Sequence, residues 1–497
     1  MKASLLFAAA AAFAPLVAAA QTAPQPAAQQ EVDWRAIARS DVLAAYDIYV
    51  ANHPGMHDPR NPGFPAQLAR ARDRGLAFAA RASDREGYTE ALGAFSSVLG
   101  DGHAQAFAIA SPPGTVERRE WPGFVAAWRG DRLIVHHAAA GSAAPAGSTI
   151  LGCDGRGARD FILARLQNRR LRPAEAGGWW FWGPRAFYSS ASFQATRPRS
   201  CRFRIGNEER EMALQWSPAP EDFDARLAAA SDGERTPIGL TEPRPGLFLI
   251  GMPSFSPDPA GVEAYRALYE TLQARRPELL GARAIVIDLR HNNGGSSYWS
   301  REAGSILWGR PLVTRTMADY FRNVAIWWRA SAGNVAYMAE MEAQMRRNGQ
   351  TEGADGTRRT GEAMRAALSR GEPFYVDDDD EAASTDAPTA PDFTTPVYVI
   401  TPGRCGSACL DALDLFTRFP NVRLIGAPTS GDSTYMEVRS MDLPSGRGRI
   451  VIPNKIWVGR PRASGEVYTP HIAVTDADWS TVTFLDRIEG DLAAGRR

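Results

Sequence analysis

Apolar residues in the first part of the chain recur with the period of a helix. Between residues 32 and 100 they lie about 3.6 positions apart, as at Trp34, Ile37 and Val42, and this spacing predicts amphipathic helices. The pattern ends at Leu99, and a short apolar run over 104–109 predicts a strand. We therefore expect an N-terminal helical region that leads into a strand.

The next part of the chain changes to short runs of alternating or β-branched apolar residues. These runs predict strands at 123–128, 133–137, 149–153, 201–205 and 211–216. The stretch 147–155, GSTILGCDG, resembles a phrase of PDZ modules in which a strand enters a turn before a helix. The resemblance is partial, because Ser148 stands where such modules usually carry an acid. Three tryptophans that follow, Trp179, Trp180 and Trp182, are interpreted as local core, with an apolar ligand wall as the alternative.

Strand and helix patterns alternate in the second half of the chain, after a polar, proline-rich stretch at 218–245 that predicts a linker. Residues 247–252, 284–289 and 397–400 are continuous apolar runs, as expected for strands of a sheet that helices cover on both faces. The long interval before the last run predicts an insertion, and insertions of this length commonly form a lid or a wall.

Together these patterns predict a multi-domain α/β protein. Its expected parts are a signal peptide at 1–20, an N-terminal helical region at 31–118, a small PDZ-like β-rich module at 119–217, and an α/β core at 235–497 with a helical and acidic insertion at 310–392. The acidic run at 377–381 lacks the glycine and spacing of a calcium loop, so we interpret it as a solvated part of the insertion.

The first residues predict export. Lys2 precedes a short, alanine-rich apolar run that ends in small residues, which is typical of a cleavable secretory signal peptide. We expect a periplasmic or secreted protein with no stable membrane insertion after the signal is removed, since no second long apolar run follows.

Composition limits the partners and the chemistry. Lys+Arg and Asp+Glu each number 56, and this balance argues against a nucleic-acid-binding protein. The chain contains only two lysines, Lys2 and Lys455, and the first would leave with the signal peptide.

Four cysteines suit an oxidising compartment. We expect the pairs Cys153–Cys201 and Cys405–Cys409, because each pair lies within one predicted domain, with free thiols as the alternative for the second pair. No histidine lies close to these cysteines in the sequence, and we predict neither a metal site nor a cofactor.

The stretch 397–415, VYVITPGRCGSACLDALDL, is the strongest candidate for chemistry. It predicts a buried strand, a tight turn and a helix, with Ser407 near the helix start. Backbone N–H groups at such a helix start can face a bound group, so a serine there has the position of a nucleophile. The alternative is that Ser407 only caps the helix.

A second turn follows the strand at 285–289. Residues 285–295 read IVIDLRHNNGG, and Gly294 and Gly295 let the backbone approach a ligand and direct N–H groups towards it. The stretch has neither the G-K-[ST] nor the G-x-G-x-x-G pattern of phosphate-binding loops. Paired with Ser407, it predicts half of an oxyanion hole.

The order of these motifs resembles the tail-specific (C-terminal-processing) and tricorn-type serine peptidases over roughly residues 90–480. The matching phrases are Asp288-Leu289-Arg290, Asn293-Gly294-Gly295, the Ser407 turn, Gly426 to Thr429 with Gly431, Leu443 to Gly446, and Tyr468-Thr469-Pro470. The resemblance implies a ClpP/crotonase-like core and a serine endopeptidase or carboxy-terminal processing peptidase that acts through an acyl-enzyme. Its substrate would be a peptide or an unfolded protein, and the resemblance leaves oligomerisation open.

The lysine count favours one branch of this family. Processing peptidases activate the serine with a lysine in a T-x-G-K-G phrase, whereas here Thr429-Ser430-Gly431 is followed by Asp432. The tricorn-like branch uses a histidine in a D-G-H-T phrase, which Asp101-Gly102-His103-Ala104 resembles. The resemblance therefore implies a Ser-His-acid arrangement with His103 as the base.

The same resemblance implies the remaining site residues. Glu466 corresponds loosely to the acid that orients the base, and Asp432 and Glu437 remain alternatives. Gly294, Gly295 and the N–H of Ala408 would form the oxyanion hole. Catalytic roles for His291 and His471 are less favoured.

Two other functions stay open. One is a catalytically inactive member of the same fold that binds peptides or ligands, since the lysine is missing and the glutamate phrase is imperfect. The other is an esterase of the α/β-hydrolase type, which the absence of G-x-S-x-G around Ser407 disfavours.

Overall fold

The computed structural model of the chain describes residues 32–110, 119–169, 171–189, 197–347, 350–377 and 390–495. All elements given below lie in the unit Trp34–Arg497. The predicted signal peptide and most of the acidic run at 377–381 lie outside the described residues. Within the described ranges, no helix is both long and apolar enough to cross a bilayer.

Three helices form the N-terminal region, as the apolar period predicts. They are α1 (Trp34–Asn52), α2 (Phe64–Ala79) and α3 (Arg85–Leu99). Asp84 caps the start of α3, where its side chain accepts the Gly87 N–H at 2.8 Å. Gly100, at a φ of 61°, ends the helix. The chain then turns into β1 (Gln105–Ala108).

An antiparallel sheet forms most of the predicted β-rich module. Four of the five predicted strands are confirmed, and the fifth, predicted at 211–216, instead runs from Glu208 to Ala213. The strands of this part are β2 (Glu120–Trp121), β3 (Phe124–Arg129), β4 (Arg132–Ala138), β5 (Thr149–Cys153), β6 (Arg156–Gly157), β7 (Ser200–Ile205), β8 (Glu208–Ala213) and β9 (Ser217–Pro218), and its helices are α4 (Ala158–Arg165) and α5 (Ala176–Trp182). Cys153 lies opposite Cys201 in the β5–β7 pair, and the predicted disulfide joins them. The finer likeness to a PDZ module stays a prediction.

The prediction of a linker at 218–245 is wrong. This stretch contains α6 (Phe223–Asp232) and β10 (Gly239–Arg244). Phe223 and Leu227 of α6 are buried against residues of β3 and β4. Their spacing of four residues is a helical pattern, but the prolines and charges around it hid the signal.

The central sheet confirms the α/β character of the core, whereas the ClpP/crotonase-like likeness stays a prediction. Its strands, in spatial order, are β10, β11 (Leu247–Gly251), β12 (Ala284–Asp288), β15 (Val397–Thr401), β16 (Val422–Gly426) and β19 (Ile472–Ala473). Strand β10 is antiparallel to β11, and the other pairs are parallel. The helices of this part are α7 (Pro259–Ala274), α8 (Arg276–Leu280), α9 (Tyr298–Trp308), α13 (Ala408–Phe416) and α14 (Thr481–Ala493).

Side chains of the central strands alternate between two hydrophobic cores. Ile285 and Ile287 of β12 pack with residues of α7, α9 and α13. Val286, which points to the other face, belongs to a core that includes residues of α14 and Trp179 and Trp180 of α5. The β-rich module and the central sheet thus share one core, and this brings α5 close to the loops at the edge of the sheet.

The insertion contains strands as well as the predicted helices. Its elements are α10 (Arg310–Phe321), β13 (Ala325–Arg329), α11 (Ala332–Arg347), α12 (Thr351–Ser369) and β14 (Phe374–Asp377). Strands β13 and β14 extend an antiparallel sheet that also holds β1, β17 (Tyr435–Asp442) and β18 (Gly448–Val458). Both β1 and β17 run antiparallel to β18, so the loops that enter β1 and β17 approach the sheet from the same direction.

Candidate active site

Ser407 lies directly before α13, in the turn that follows β15. Its backbone φ of 53° and ψ of −131° are rare for a residue with a side chain. Such a conformation typically costs about 1–3 kcal/mol and persists only where the surrounding structure holds it. The prediction of a strand, a turn and a helix with the serine at the helix start is confirmed.

Several contacts hold this conformation. The Ser407 N–H donates to Asp432 Oδ2 at 2.6 Å, and the Ser407 carbonyl accepts the Leu410 N–H at 2.8 Å. The predicted disulfide joins Cys405 and Cys409, whose Cα atoms are 5.3 Å apart. The disulfide brackets the serine and ties the turn to the first turn of α13.

The Gly294–Gly295 turn meets Ser407 because β12 and β15 are parallel neighbours. Asp288 pairs with Ile400 near their carboxyl ends, so the loops that follow both strands emerge at the same edge. At Gly294, where φ is 109°, a Cβ atom would lie 2.7 Å from Ser407 Cβ. Only glycine permits this approach.

The backbone N–H groups near Ser407 differ in whether a protein acceptor already occupies them. The Gly294 N–H donates to Asn292 Oδ1 at 2.9 Å. The N–H groups of Gly295 and Ala408 have no acceptor in the described part of the chain. Of the three predicted oxyanion donors, these two are therefore open to a bound group.

The Asp288-Leu289-Arg290 segment holds the glycine turn in position. Arg290 Nη2 lies 2.7 Å from Asp288 Oδ2, and both side chains are buried. Arg290 Nη1 also donates to the Trp479 carbonyl at 2.7 Å. The phrase therefore anchors the glycine turn to the segment before α14.

His103 lies in the turn between α3 and β1, at 12% side-chain exposure. Its backbone N–H donates to Asp101 Oδ1 at 2.8 Å, and its Nδ1 lies 3.9 Å from the same oxygen. Nδ1 is buried and has no hydrogen-bond partner among the residues that the structure describes. No hydrogen bond joins the ring of His103 to Ser407 among the described residues.

One loop nevertheless contacts the turns that carry both residues. Asp432 accepts the Ser407 N–H, and the adjacent Ser433 Oγ donates to Asp101 Oδ2 at 2.7 Å. The loop precedes β17 and the His103 turn precedes β1, and both strands run antiparallel to β18.

The candidate acids do not contact the His103 ring within the described residues. Glu466 is exposed, and its Oε2 accepts the Ala463 N–H at 2.7 Å. Glu437 Oε2 lies 3.3 Å from Lys455 Nζ. That lysine packs over the rings of Trp328 and Trp457 and has no contact with Ser407 among the residues described.

The two less favoured histidines have other contacts. His291 Nε2 lies 3.0 Å from the Gly233 carbonyl, and burial lowers the pKa of this imidazole. Its side chain is buried at 8% exposure. His471 Nδ1 accepts the Leu424 N–H at 2.9 Å.

A cavity of about 220 Å³ adjoins these turns. It is lined by residues from four predicted motifs or their neighbours, Asp101, Asn293, Arg404 and Ser430, and by five residues of the β-rich module, Arg172, Glu175, Gly178, Phe181 and Trp182. Sequence reasoning missed Arg172 and Glu175, because isolated charged residues in a loop carry no periodic or motif signal. In the described ranges, no group of three or more His, Cys, Asp or Glu side chains is placed to hold a metal ion.

Two of the three tryptophans considered from the sequence are core residues, and the third lines the cavity. Trp179 and Trp180 are buried core residues, as predicted, whereas Trp182 lines the cavity. Helix α5 reaches the site because Gly177 has no side chain: a Cβ atom there would lie 2.4 Å from the carbonyl oxygens of Gly403 and Thr429.

Arg172 joins the two loops of the site. It donates to the Gly100 carbonyl at 3.3 Å and to the Gly431 carbonyl at 2.6 Å, and it pairs with Glu175 at 2.7 Å. The β-rich module thus fixes the position of the His103 turn relative to the 429–433 loop.

The sequence match agrees with this geometry. Residues 248–463 match the model of peptidase family S41. The resemblance to the tail-specific peptidases is confirmed. None of the curated proteins matches the chain significantly.

Solved structures support the S41-type fold. Mature CPAF has a TM-score of 0.60 at 13% identity, with 93% of this chain and 98% of that chain covered. Mature CPAF complexed with lactacystin has a TM-score of 0.58 at 12% identity, with 93% and 99% covered. A photosystem II D1 C-terminal processing protease reaches only 0.34 at 14% identity, with 88% and 95% covered.

The Arg172→Ala substitution should weaken the connection between the His103 turn and the 429–433 loop. We expect it to destabilise the protein by about 1–3 kcal/mol, since it removes hydrogen bonds from a charged donor and leaves buried Glu175 without its partner. Differential scanning calorimetry measures this loss of stability as a decrease in Tm. Arg423→Ala is the matched control, because Arg423 is equally exposed at 24% and pairs with Asp491 away from the site. A Tm of Arg172→Ala equal to that of the wild type would contradict the role of Arg172.

Glu175 should make stability depend on pH. Burial raises the pKa of this carboxyl from 4.5 to about 7, so the folded protein binds the proton more tightly than the unfolded chain. The stabilisation is complete below pH 4.5 and is lost as the pH rises through 7. The Tm of the wild type should therefore fall relative to that of Glu175→Gln between pH 5 and 8. Parallel Tm curves for the two proteins would show that Glu175 has no such effect.

Proposed function

We propose that the chain is a serine peptidase in which Ser407 attacks the peptide carbonyl and forms an acyl-enzyme. The observation that carries the proposal is the left-handed serine at the start of α13, packed against Gly294 and linked through one loop to the His103 turn. The family S41 match supports a peptidase that hydrolyses peptides.

His103 is the proposed base. It takes the proton of Ser407 Oγ as the hydroxyl attacks, and then donates this proton to the leaving amine before water releases the acyl group. Since no hydrogen bond joins the two side chains in the described structure, the imidazole has to approach Ser407 when a peptide binds. Catalytic hydrogen bonds are commonly long in the absence of substrate.

The proposed oxyanion hole combines the two turns. The N–H groups of Gly295 and Ala408 lack protein acceptors among the described residues and can hold the developing oxyanion. A donor of this kind contributes about 3–4 kcal/mol to transition-state binding. Gly294 contributes its N–H only if Asn292 releases it.

The acid that orients His103 is proposed to be Glu466, with Asp432 and Glu437 as the alternatives from the sequence. Glu466 would have to exchange its bond with the Ala463 N–H for one with the imidazole. Asp101 is a further candidate, because its Oδ1 lies 3.9 Å from His103 Nδ1.

We also propose an exported, carboxy-terminal processing role. The apolar N-terminal run supports periplasmic or secreted localisation. The β-rich module supplies lining residues to the site, and a PDZ-like module in this place would bind the C-terminus of a substrate by strand addition.

A fluorophosphonate probe tests the proposal directly. It should label the folded protein, and mass spectrometry should place the adduct on Ser407. Denatured protein is the control and should remain unlabelled. The proposed function is wrong if the folded protein neither reacts with the probe nor hydrolyses peptides.

The second candidate is an inactive member of the fold that binds peptides. It is favoured because no hydrogen bond joins His103 to Ser407 in the described part of the chain, and because Glu466 is exposed. Calorimetric titration with peptides distinguishes the two: this candidate requires binding without turnover and without probe labelling.

A further inference from the structure

Asp432 is the one acid among the sequence candidates that contacts the serine turn in the described residues. Its Oδ2 accepts the Ser407 N–H at 2.6 Å, and its side chain is buried at 7% exposure. A carboxylate that accepts a backbone N–H makes a charge-assisted hydrogen bond, which is stronger than a neutral one.

The position of Asp432 is itself fixed from two sides. Arg462 Nη1 lies 3.7 Å from Asp432 Oδ2, and this arginine is held by the buried Asp414. The Asp432 carbonyl accepts the Gly465 N–H at 2.6 Å. The carboxylate therefore presents a rigid acceptor to the serine turn.

The contact falls on an N–H whose direction relative to the serine side chain is set by φ. A change to an ordinary φ would rotate the N–H relative to the side chain, so Ser407 could not keep both the bond to Asp432 and the present direction of Oγ. Formation of the bond and projection of Oγ from the turn are thus coupled.

We propose that Asp432 is a positioning residue for the nucleophile and not the acid that orients the histidine. Its carboxylate holds the Ser407 N–H, keeps the serine in the left-handed conformation, and thereby directs Oγ towards the substrate carbonyl. The proposal rests on the proposed peptidase function and adds the group that sets the geometry of its nucleophile.

The proposal also defines the oxyanion hole. Because Asp432 occupies the Ser407 N–H, this N–H is unavailable to the oxyanion. The donors that remain are those of Ala408 and the glycine turn. The neighbouring Ser433 donates to Asp101, so the same loop also holds the His103 turn in position.

The test compares Asp432→Ala with Asp432→Asn in the full-length protein. Both substitutions remove the charge, but asparagine retains an oxygen that can accept the Ser407 N–H. We expect Asp432→Ala to lower kcat for a peptide substrate by about ten- to hundredfold, with KM changed less than about threefold, because the hydrogen bond is lost. Asp432→Asn should recover most of kcat, and the fluorophosphonate labelling rate should follow kcat.

Asp442→Ala is the matched control, since Asp442 is an exposed carboxylate of β17 that pairs with Arg449. It should leave kcat and labelling unchanged. Circular dichroism and Tm measurements establish that each variant is folded.

The proposal is overturned if folded Asp432→Ala keeps wild-type kcat and labelling, or if Asp432→Asn is as impaired as Asp432→Ala. Failure of the proposed function gives a different result: the wild-type protein itself would then neither hydrolyse peptides nor react with the probe.

Discussion

Peptide hydrolysis should fall by about 10⁴-fold or more when Ser407 is replaced by alanine, because the acyl-enzyme can no longer form. The folded structure should persist, since alanine keeps the Cβ atom that packs against Gly294 and the backbone N–H that Asp432 holds. Steady-state kinetics with a fluorogenic peptide measure the loss, and a Tm close to that of the wild type shows that it is chemical.

Ser430→Ala is the matched control for this variant. Ser430 lines the cavity that adjoins the Ser407 turn, lies in the 429–433 loop and does not carry the proposed reaction. It should keep most of the wild-type activity. Full activity in Ser407→Ala would refute the nucleophile, and equal losses in both variants would show that the activity depends on the shape of the cavity and not on the hydroxyl of Ser407.

Replacing His103 by alanine is the second substitution with a large expected effect. Loss of the base should lower kcat by about 10⁴-fold, because the serine hydroxyl is a weak nucleophile at its own pKa. The fluorophosphonate labelling rate should decrease in parallel. Added imidazole should restore part of the activity of His103→Ala, since it can enter the space that the side chain leaves and accept the proton.

Two further variants test whether the loss of activity is specific to His103. His57→Ala removes an exposed histidine elsewhere on the chain and should leave kcat unchanged. His291→Ala tests the other histidine near the glycine turn. If His291→Ala abolished turnover while His103→Ala retained it, the base would be His291 and the Ser-His103 arrangement would be wrong.

Much of the fold follows from local patterns. The helices of the N-terminal region, most strands of the β-rich module and the central strands β11, β12 and β15 were predicted, because their apolar residues repeat with the period of the element or form continuous runs. Strands β10 and β19 of the same sheet were not predicted. The linker prediction failed because α6 is short and surrounded by prolines and charges. Strands β13 and β14 were missed because they lie between helices and are stabilised by pairing across the sheet. Strand β13 pairs with β18, far away in the sequence, and β14 pairs with β13.

The candidate site also contains some residues that the sequence predicted and others that it did not. The turns that carry Ser407, Gly294 and His103 were found from their motifs. Arg172 and Glu175, which join and line these turns, have no motif and reach the site only because the β-rich module shares a core with the central sheet.

By itself the sequence determined which residues can do chemistry: it contains Ser407 between two cysteines, a glycine pair after a buried strand, a histidine in a D-G-H turn, and no lysine in the position that a Ser-Lys dyad requires. Only the tertiary structure decided how the serine is held. Its left-handed backbone depends on Asp432, 25 residues further along the chain, and on Gly294 from a neighbouring strand. The physical reason is that a strained φ has no local sequence signature here, since distant contacts supply the energy that maintains it.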